Sequence, residues 1–107
     1  DKAGPRAKQE VYQGVSSIRN TAIMNRILLG LKPNDEYKKV KTSHVDVEAW
    51  KLGENLFIRA NNLVPQHPIS DVRHGPNGYT AYQITFLPIL RFSDANGNQI
   101  RVTVEGA

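Results

Sequence analysis

The chain has 107 residues, no cysteine and a formal net charge of +4 at neutral pH. This length accommodates one domain, because a single core of that size buries roughly two thirds of the surface of the unfolded chain. The lack of cysteine excludes disulfides, a thiolate nucleophile and a zinc–thiolate site. With 39% hydrophobic and 22% charged residues, the composition is that of a folded domain.

An amphipathic helix is predicted from about residue 7 to residue 29, after a flexible lead of residues 1–6. A first apolar stripe recurs at helical spacing and is expected to face the core; it consists of Val11, Val15, Ile18, Ala22 and Leu29. A second stripe, on another side of the helix, consists of Ile23, Ile27 and Leu31. Because the last turns are apolar nearly all round, this end of the helix is expected to be buried or to meet a partner. Gly30 and Pro33 supply the stop signal, since glycine adopts the left-handed conformation after a helix and proline cannot continue one.

Residues 37–60 are predicted to form one antiparallel unit. The apolar alternation changes phase between His44 and Val45. Side chains along a strand alternate with a period of two, so this change indicates a bulge or a change of sheet face. After the turn LGEN, the segment LFIRA is expected to return as the second arm of a hairpin.

Residues 61–78 are predicted to form a long loop, because they hold three prolines, two glycines and three asparagines. Connections of more than about 12–15 residues are uncommon in compact domains and tend to be functional or mobile. The loop is therefore a candidate for a clasp or a swapped segment between subunits.

A long apolar strand is predicted over residues 82–92, with Pro88 inside it. Alternate positions share one apolar face; they are Tyr82, Ile84, Phe86, Pro88, Leu90 and Phe92. Proline has no N–H to donate to a neighbouring strand, so the strand is expected to lie at a sheet edge or to be bulged there. The turn SDANGNQ then leads into the strand IRVTV, whose Ile100, Val102 and Val104 are expected to face the core.

These elements predict a single α+β domain, in which one N-terminal amphipathic helix packs on an antiparallel meander of about four strands. The helix is expected to cover the apolar face of residues 82–92 and to leave the border of that strand free. In outline, a long helix followed by an antiparallel meander resembles the globular heads of pilins and pseudopilins, and several phage connector and tail proteins. The resemblance implies a structural role in an assembly.

One constellation raises the possibility of a metal-dependent enzyme. His67, Asp71 and His74 stand at spacings of four and three, which on a helix would place two imidazoles and a carboxylate on one face. The flanking prolines and glycines make a helix of that length unfavourable, and short motifs predict sites loosely. A polar surface loop is the favoured interpretation, and we expect no enzymatic activity, metal or cofactor.

A second hypothesis is a small basic nucleic-acid-binding domain. The positive charges that would contact phosphates are Arg19, Arg26, Lys38, Lys39 and Lys41. Phosphate binding needs such charges gathered on one surface, and the pattern does not show that they are.

The favoured hypothesis is a non-enzymatic structural module, a self-associating or partner-binding subunit of a pilus, secretion or virion-like assembly. Its contacts are predicted at the helix end and along the proline-marked strand; the residues are Ile23, Ile27, Leu31, Leu87, Pro88 and Ile89. The partner is expected to be protein, either further copies of this chain or other subunits, with nucleic acid as the alternative. Contact with a membrane is expected only through residues preceding Asp1, and an exported or virion-associated location is favoured.

Overall fold

The computed structural model describes residues 18–34 and 36–105. Residues 18–28 are helical and are called α1. Eight strands follow within the described residues: β1 (Lys38–Val40), β2 (Val47–Leu52), β3 (Asn55–Asn61), β4 (Val64–Pro65), β5 (Asp71–His74), β6 (Tyr79–Thr85), β7 (Ile89–Ser93) and β8 (Gln99–Thr103).

The strands form two antiparallel sheets, and α1 packs on one of them. The larger sheet has the order β1-β2-β3-β6-β5 and the smaller one β4-β7-β8. The α+β class with a helix on an antiparallel sheet is therefore confirmed. The structure describes more strands than the predicted four. Two segments predicted as single continuous strands are each divided into two, and residues 61–78 contain two further short strands.

The main core lies between the two sheets. Its fully buried members include Leu56, Ile58, Ile84, Leu90 and Phe92. The five-stranded sheet is also covered on its other face, so that β3 and β6 are apolar on both sides; Phe57 faces α1 while its neighbours in the chain face the second sheet. Burial on both faces explains why these strands lack a clean apolar–polar alternation.

A second core lies between α1 and the five-stranded sheet. Ile23, Met24 and Ile27 pack there against Trp50 and Phe57. The prediction that the first stripe faces the core is wrong for its described members, because Ile18 and Leu29 are each 74% exposed and Ala22 is exposed. Val11 and Val15 lie outside the described residues, as does the predicted start of the helix. Helical periodicity alone does not show which of the two apolar stripes faces the core. The second stripe does, because it packs against the aromatic side chains of the sheet.

The predicted end of the helix is confirmed. Gly30 has φ of 76°, its N–H donates to the carbonyl oxygen of Ile27, and the N–H of Leu31 donates to that of Arg26. This pair of bonds satisfies carbonyl groups that the last turn would otherwise leave without a partner.

The prediction of one strand through residues 82–92 is wrong. β6 ends at Thr85 in the larger sheet, and β7 begins at Ile89 in the smaller one. Pro88 stands at this crossover, where its carbonyl oxygen accepts the N–H of Val104 at 2.9 Å. Having no N–H, it returns no bond, which explains why the regular ladder stops there. β6 is paired on both sides and turns Tyr82 away from α1, so that neither the free border nor the predicted helix contact exists.

Residues 37–60 form the predicted antiparallel unit, as β1, β2 and β3. The phase change at His44 is a turn over residues 43–46, closed by a bond from the Val47 N–H to the His44 carbonyl. The segment predicted as a long loop contains β4 and β5, which are too short to show a periodicity. The final hairpin is as predicted, with Val102 and Val104 buried.

Gly78 provides a test of the close approach between the β5–β6 turn and the end of β3. Its φ is 83°, and a Cβ there would overlap the side chain of Asn62; Gly97 has φ of 82° with open space around it. A non-glycine residue in this conformation costs about 1–2 kcal/mol. We therefore expect Gly78→Ala to lower the free energy of unfolding by more than Gly97→Ala, measured by urea denaturation. Equal losses would show that Asn62 moves away without cost.

Candidate functional site

The first candidate surface lies where the chain passes between the sheets, at Leu87, Pro88 and Ile89. We call these three residues the crossover surface. Leu87 is half-buried against the inter-sheet core, and Pro88 is exposed. Ile89 is half-buried on the outer face of β7, because its neighbour Leu90 takes the inner face. The crossover surface therefore consists of three successive apolar residues, of which one is exposed and two are half-buried.

A second apolar surface is a groove on the open side of the sandwich. The opposite side is closed by a bridge between Thr42 and Val104. On the open side the sheets end in β4 and β5, and a groove of about 540 Å³ lies between them. Val64 is 58% exposed there and Val72 37% exposed. An apolar entrance to the core thus stays accessible to solvent.

The edge of β5 is protected by its own side chains. The Asp71 carboxylate accepts the N–H of Val72 at 2.9 Å and a guanidinium N–H of Arg73 at 2.6 Å. Arg73 also donates to the Val72 carbonyl at 2.8 Å and, with its other terminal nitrogen, to the hydroxyl of Thr21 on α1 at 2.5 Å. Both backbone groups of Val72 are therefore occupied, which disfavours pairing with a further strand at this position.

The predicted partner-binding residues on the helix do not join the crossover surface. Ile23 is 6% exposed and Ile27 is fully buried, while Leu31 is 45% exposed just beyond the helix end. The two isoleucines pack on the opposite face of the five-stranded sheet from the inter-sheet core that Leu87 contacts. This burial removes the exposed apolar surface on which a contact at Ile23 and Ile27 was based.

His67, Asp71 and His74 are not brought together on a helix. His67 follows β4, and its Nε2 accepts the backbone N–H of Arg91 at 2.6 Å. Asp71 and His74 lie on β5, whose extended backbone points them to opposite faces. Across residues 18–34 and 36–105, no group of three or more histidine, aspartate or glutamate side chains is placed to hold a metal ion.

The positive charges of the nucleic-acid hypothesis are largely engaged within the chain. Arg19 pairs with Glu36 at 3.3 Å, and Arg26 donates to the carbonyl oxygen of Lys32. Lys39 pairs with Glu48 at 2.9 Å. Lys38 and Lys41 are exposed at β1 and just beyond it. The geometry therefore gives the nucleic-acid hypothesis no support.

Glu48 is held by two cations, Lys39 and Arg59, each at 2.9 Å. Partial burial raises the pKa of the Glu48 carboxyl, but the hydrogen bonds and charges of Lys39 and Arg59 outweigh burial and hold the pKa below the ordinary value of 4.5. A carboxyl with a lowered pKa stabilises the fold above its unfolded pKa and loses that effect as the pH falls through its folded pKa.

We therefore expect Glu48→Gln to destabilise the protein at pH 7, by less than about 1 kcal/mol per screened ion pair. The difference from the unsubstituted protein is expected to shrink as the pH is lowered from 4.5 toward 3. Urea denaturation at pH 7 and pH 3 measures it, with the exposed Glu105→Gln as the control. A difference that is the same at both pH values would contradict the assigned role of the carboxylate charge.

Comparison with known protein families decides the class of the molecule. Residues 1–102 match the DotH/IcmK family model, described as the outer membrane core complex of type IVb secretion. The chain belongs to this family. No curated protein matches the chain. Among the predicted pilus, secretion and virion-like assemblies, the DotH/IcmK family supports the secretion assembly.

Exposed apolar residues of this DotH/IcmK-family chain were only partly predicted. The sequence indicated the crossover surface through Pro88, but it placed Ile18 and Leu29 inside the core. Val64 and Val72 were missed because the proline-rich segment around them was read as a loop, although the valines themselves were a signal for strands. In the part of the chain that the structure describes, no helix combines the length and apolar content needed to cross a bilayer.

Proposed function

We propose that the chain is a non-enzymatic assembly module of the type IVb secretion outer membrane core complex and that it binds a protein partner through the crossover surface. The observation that carries the proposal is the match of residues 1–102 to the family of that complex. A subunit of a multi-protein assembly must contact its neighbours, and apolar side chains at the centre of a contact contribute much of its affinity.

The geometry supports the crossover surface as the contact. Leu87 and Ile89 are each half-buried and Pro88 is exposed, so that a partner could remove further apolar area from water. Pro88 also fixes the local backbone, since its ring restricts φ. A surface that is already rigid loses little conformational entropy on binding. Leu31 is proposed as an additional contact, because it is 45% exposed.

Co-purification of the core complex from cells that express the natural full-length protein tests the proposal. Ile89→Asp places a charge on the crossover surface and is expected to reduce recovery of the other subunits at least tenfold, since a buried unpaired carboxylate is costly. Asn25→Asp introduces the same charge at an exposed position on α1, on the far side of the five-stranded sheet, and is the matched control. Circular dichroism verifies that both variants fold.

Pro88→Glu is the second variant, because Pro88 is exposed and its replacement spares the core. Recovery of a complete complex with both Ile89→Asp and Pro88→Glu would overturn the crossover surface as the contact. Failure of the unsubstituted protein to copurify with any subunit would overturn the assembly role itself. Light scattering of the purified protein over a dilution series decides whether the partner is a second copy or a different subunit.

A further inference from the structure

Two arginines stand directly opposite each other on the outer face of the three-stranded sheet. The register of β7 and β8 pairs Arg91 with Arg101, and both side chains are exposed. The backbone N–H and carbonyl of Arg91 are bonded to His67 and Gln66 on the other side of the strand. Arg91 and Arg101 therefore form a non-hydrogen-bonded pair, the type in which opposed side chains lie closest.

In the part of the chain that the structure describes, neither guanidinium is paired with a counter-charge. Within residues 18–34 and 36–105, Arg91 and Arg101 form no ion pair and no side-chain hydrogen bond. Glu105, two residues beyond the end of β8, is four residues from Arg101, about 13 Å along an extended backbone. Like charges directly opposite in a sheet are destabilising, so this pair opposes folding unless an anion is bound.

We propose that Arg91 and Arg101 together bind carboxylates of an acidic protein segment contributed by another subunit. Two guanidinium groups side by side match such a segment, because each can hold a carboxylate through two parallel N–H···O bonds. The proposal rests on the proposed function, since it identifies the chemistry of the partner. It also extends the crossover surface, because Ile89 and Arg91 are two residues apart on β7 and lie on the same outer face of the sheet.

The surroundings of the pair favour a protein over a polyanion. An apolar side chain adjoins the arginines on the same face, because Ile89 lies at the start of β7 on the outer side of the sheet. A mixture of apolar and arginine side chains is typical of protein interfaces. Nucleic-acid affinity instead grows with the number of phosphates contacted. The other arginines tested for that role, Arg19 and Arg26, lie on α1 against the opposite sheet.

The test uses the assembled complex and a charge-matched pair of double variants. Arg91→Glu with Arg101→Glu lowers the net charge by four, and Lys38→Glu with Lys41→Glu lowers it by the same amount. We expect the arginine variant to lose at least tenfold in recovery of the complex, and the lysine variant to retain it. The arginine variant is expected to melt close to the unsubstituted protein, because it replaces one exposed like-charge pair with another. Equal behaviour of the two variants would overturn the proposal.

Photo-crosslinking identifies what the arginines contact. A benzoylphenylalanine in place of Gln99 lies next to the pair and leaves both arginines intact. Crosslinks to a segment of another subunit that holds two or more Asp or Glu residues would support the proposal. Crosslinks to nucleic acid, to lipid or to a segment without acidic residues would each overturn it. If Ile89→Asp abolishes assembly while the arginine variant does not, the proposed function stands and the acidic partner is wrong.

Discussion

Phe92→Ala is expected to lower the free energy of unfolding by about 3–5 kcal/mol, the largest effect of any single substitution considered for this chain. Phe92 has no exposed surface and lies at the centre of the inter-sheet core, beside Leu90 and Val102. Truncation removes the buried ring and leaves a cavity that two hydrogen-bonded sheets cannot close. Urea denaturation measures the loss.

A chain of this size has a total stability of about 5–15 kcal/mol, so that Phe92→Ala is expected to leave a measurable unfolded population at the lower end of that range. Phe92→Leu keeps most of the apolar volume and is expected to cost about 1.5 kcal/mol. Thr103→Ala on the exposed face of β8 is the control and should change stability by less than about 0.5 kcal/mol. A cost for Phe92→Ala as small as that of Thr103→Ala would refute the packing of the two sheets.

Ile27→Ala is expected to cost about 2–5 kcal/mol, because its side chain is fully buried between α1 and the five-stranded sheet. Leu29→Ala is the matched control, two residues further on and 74% exposed, and it should change stability by less than about 0.5 kcal/mol. The pair compares the two apolar stripes of the helix in one measurement. The opposite ranking would mean that the helix packs with its other face.

The sequence predicted those parts of the fold that depend on local chemistry. The helix end at Gly30, the turn before β8 and the antiparallel unit of residues 37–60 were predicted because glycine, proline and strand alternation act over a few residues. The division into two sheets was not predictable in this way. It depends on which partners β6 and β7 find, and an unbroken parity from Tyr82 to Phe92 is compatible with one strand or with two.

The candidate site was predictable to a similar degree. Pro88 marked the crossover surface, although the reason for its position was a change of sheet and neither a sheet edge nor a bulge. The exposure of Ile18 and Leu29 could not be predicted, because it depends on which stripe Trp50 and Phe57 accept. Arg91 and Arg101 lie opposite each other because of the register of the β7–β8 hairpin. The length of the turn SDANGNQ determines that register, so the pairing could be predicted only once that length was known.

The bond between Arg73 and Thr21 ties the protection of a sheet edge to the docking of the helix. If α1 separates while the two sheets remain intact, Arg73 loses one of its anchors, and the amide and carbonyl of Val72 become easier to uncover. Separation of α1 would also expose Trp50 and Phe57, which are buried in the intact fold. The partly unfolded chain would then carry an apolar face that favours aggregation. Aggregation through edge-to-edge strand pairing is therefore expected to begin from the chain in which α1 has separated, rather than from the completely unfolded chain. Subunits that have not yet been incorporated into the complex are expected to aggregate most readily.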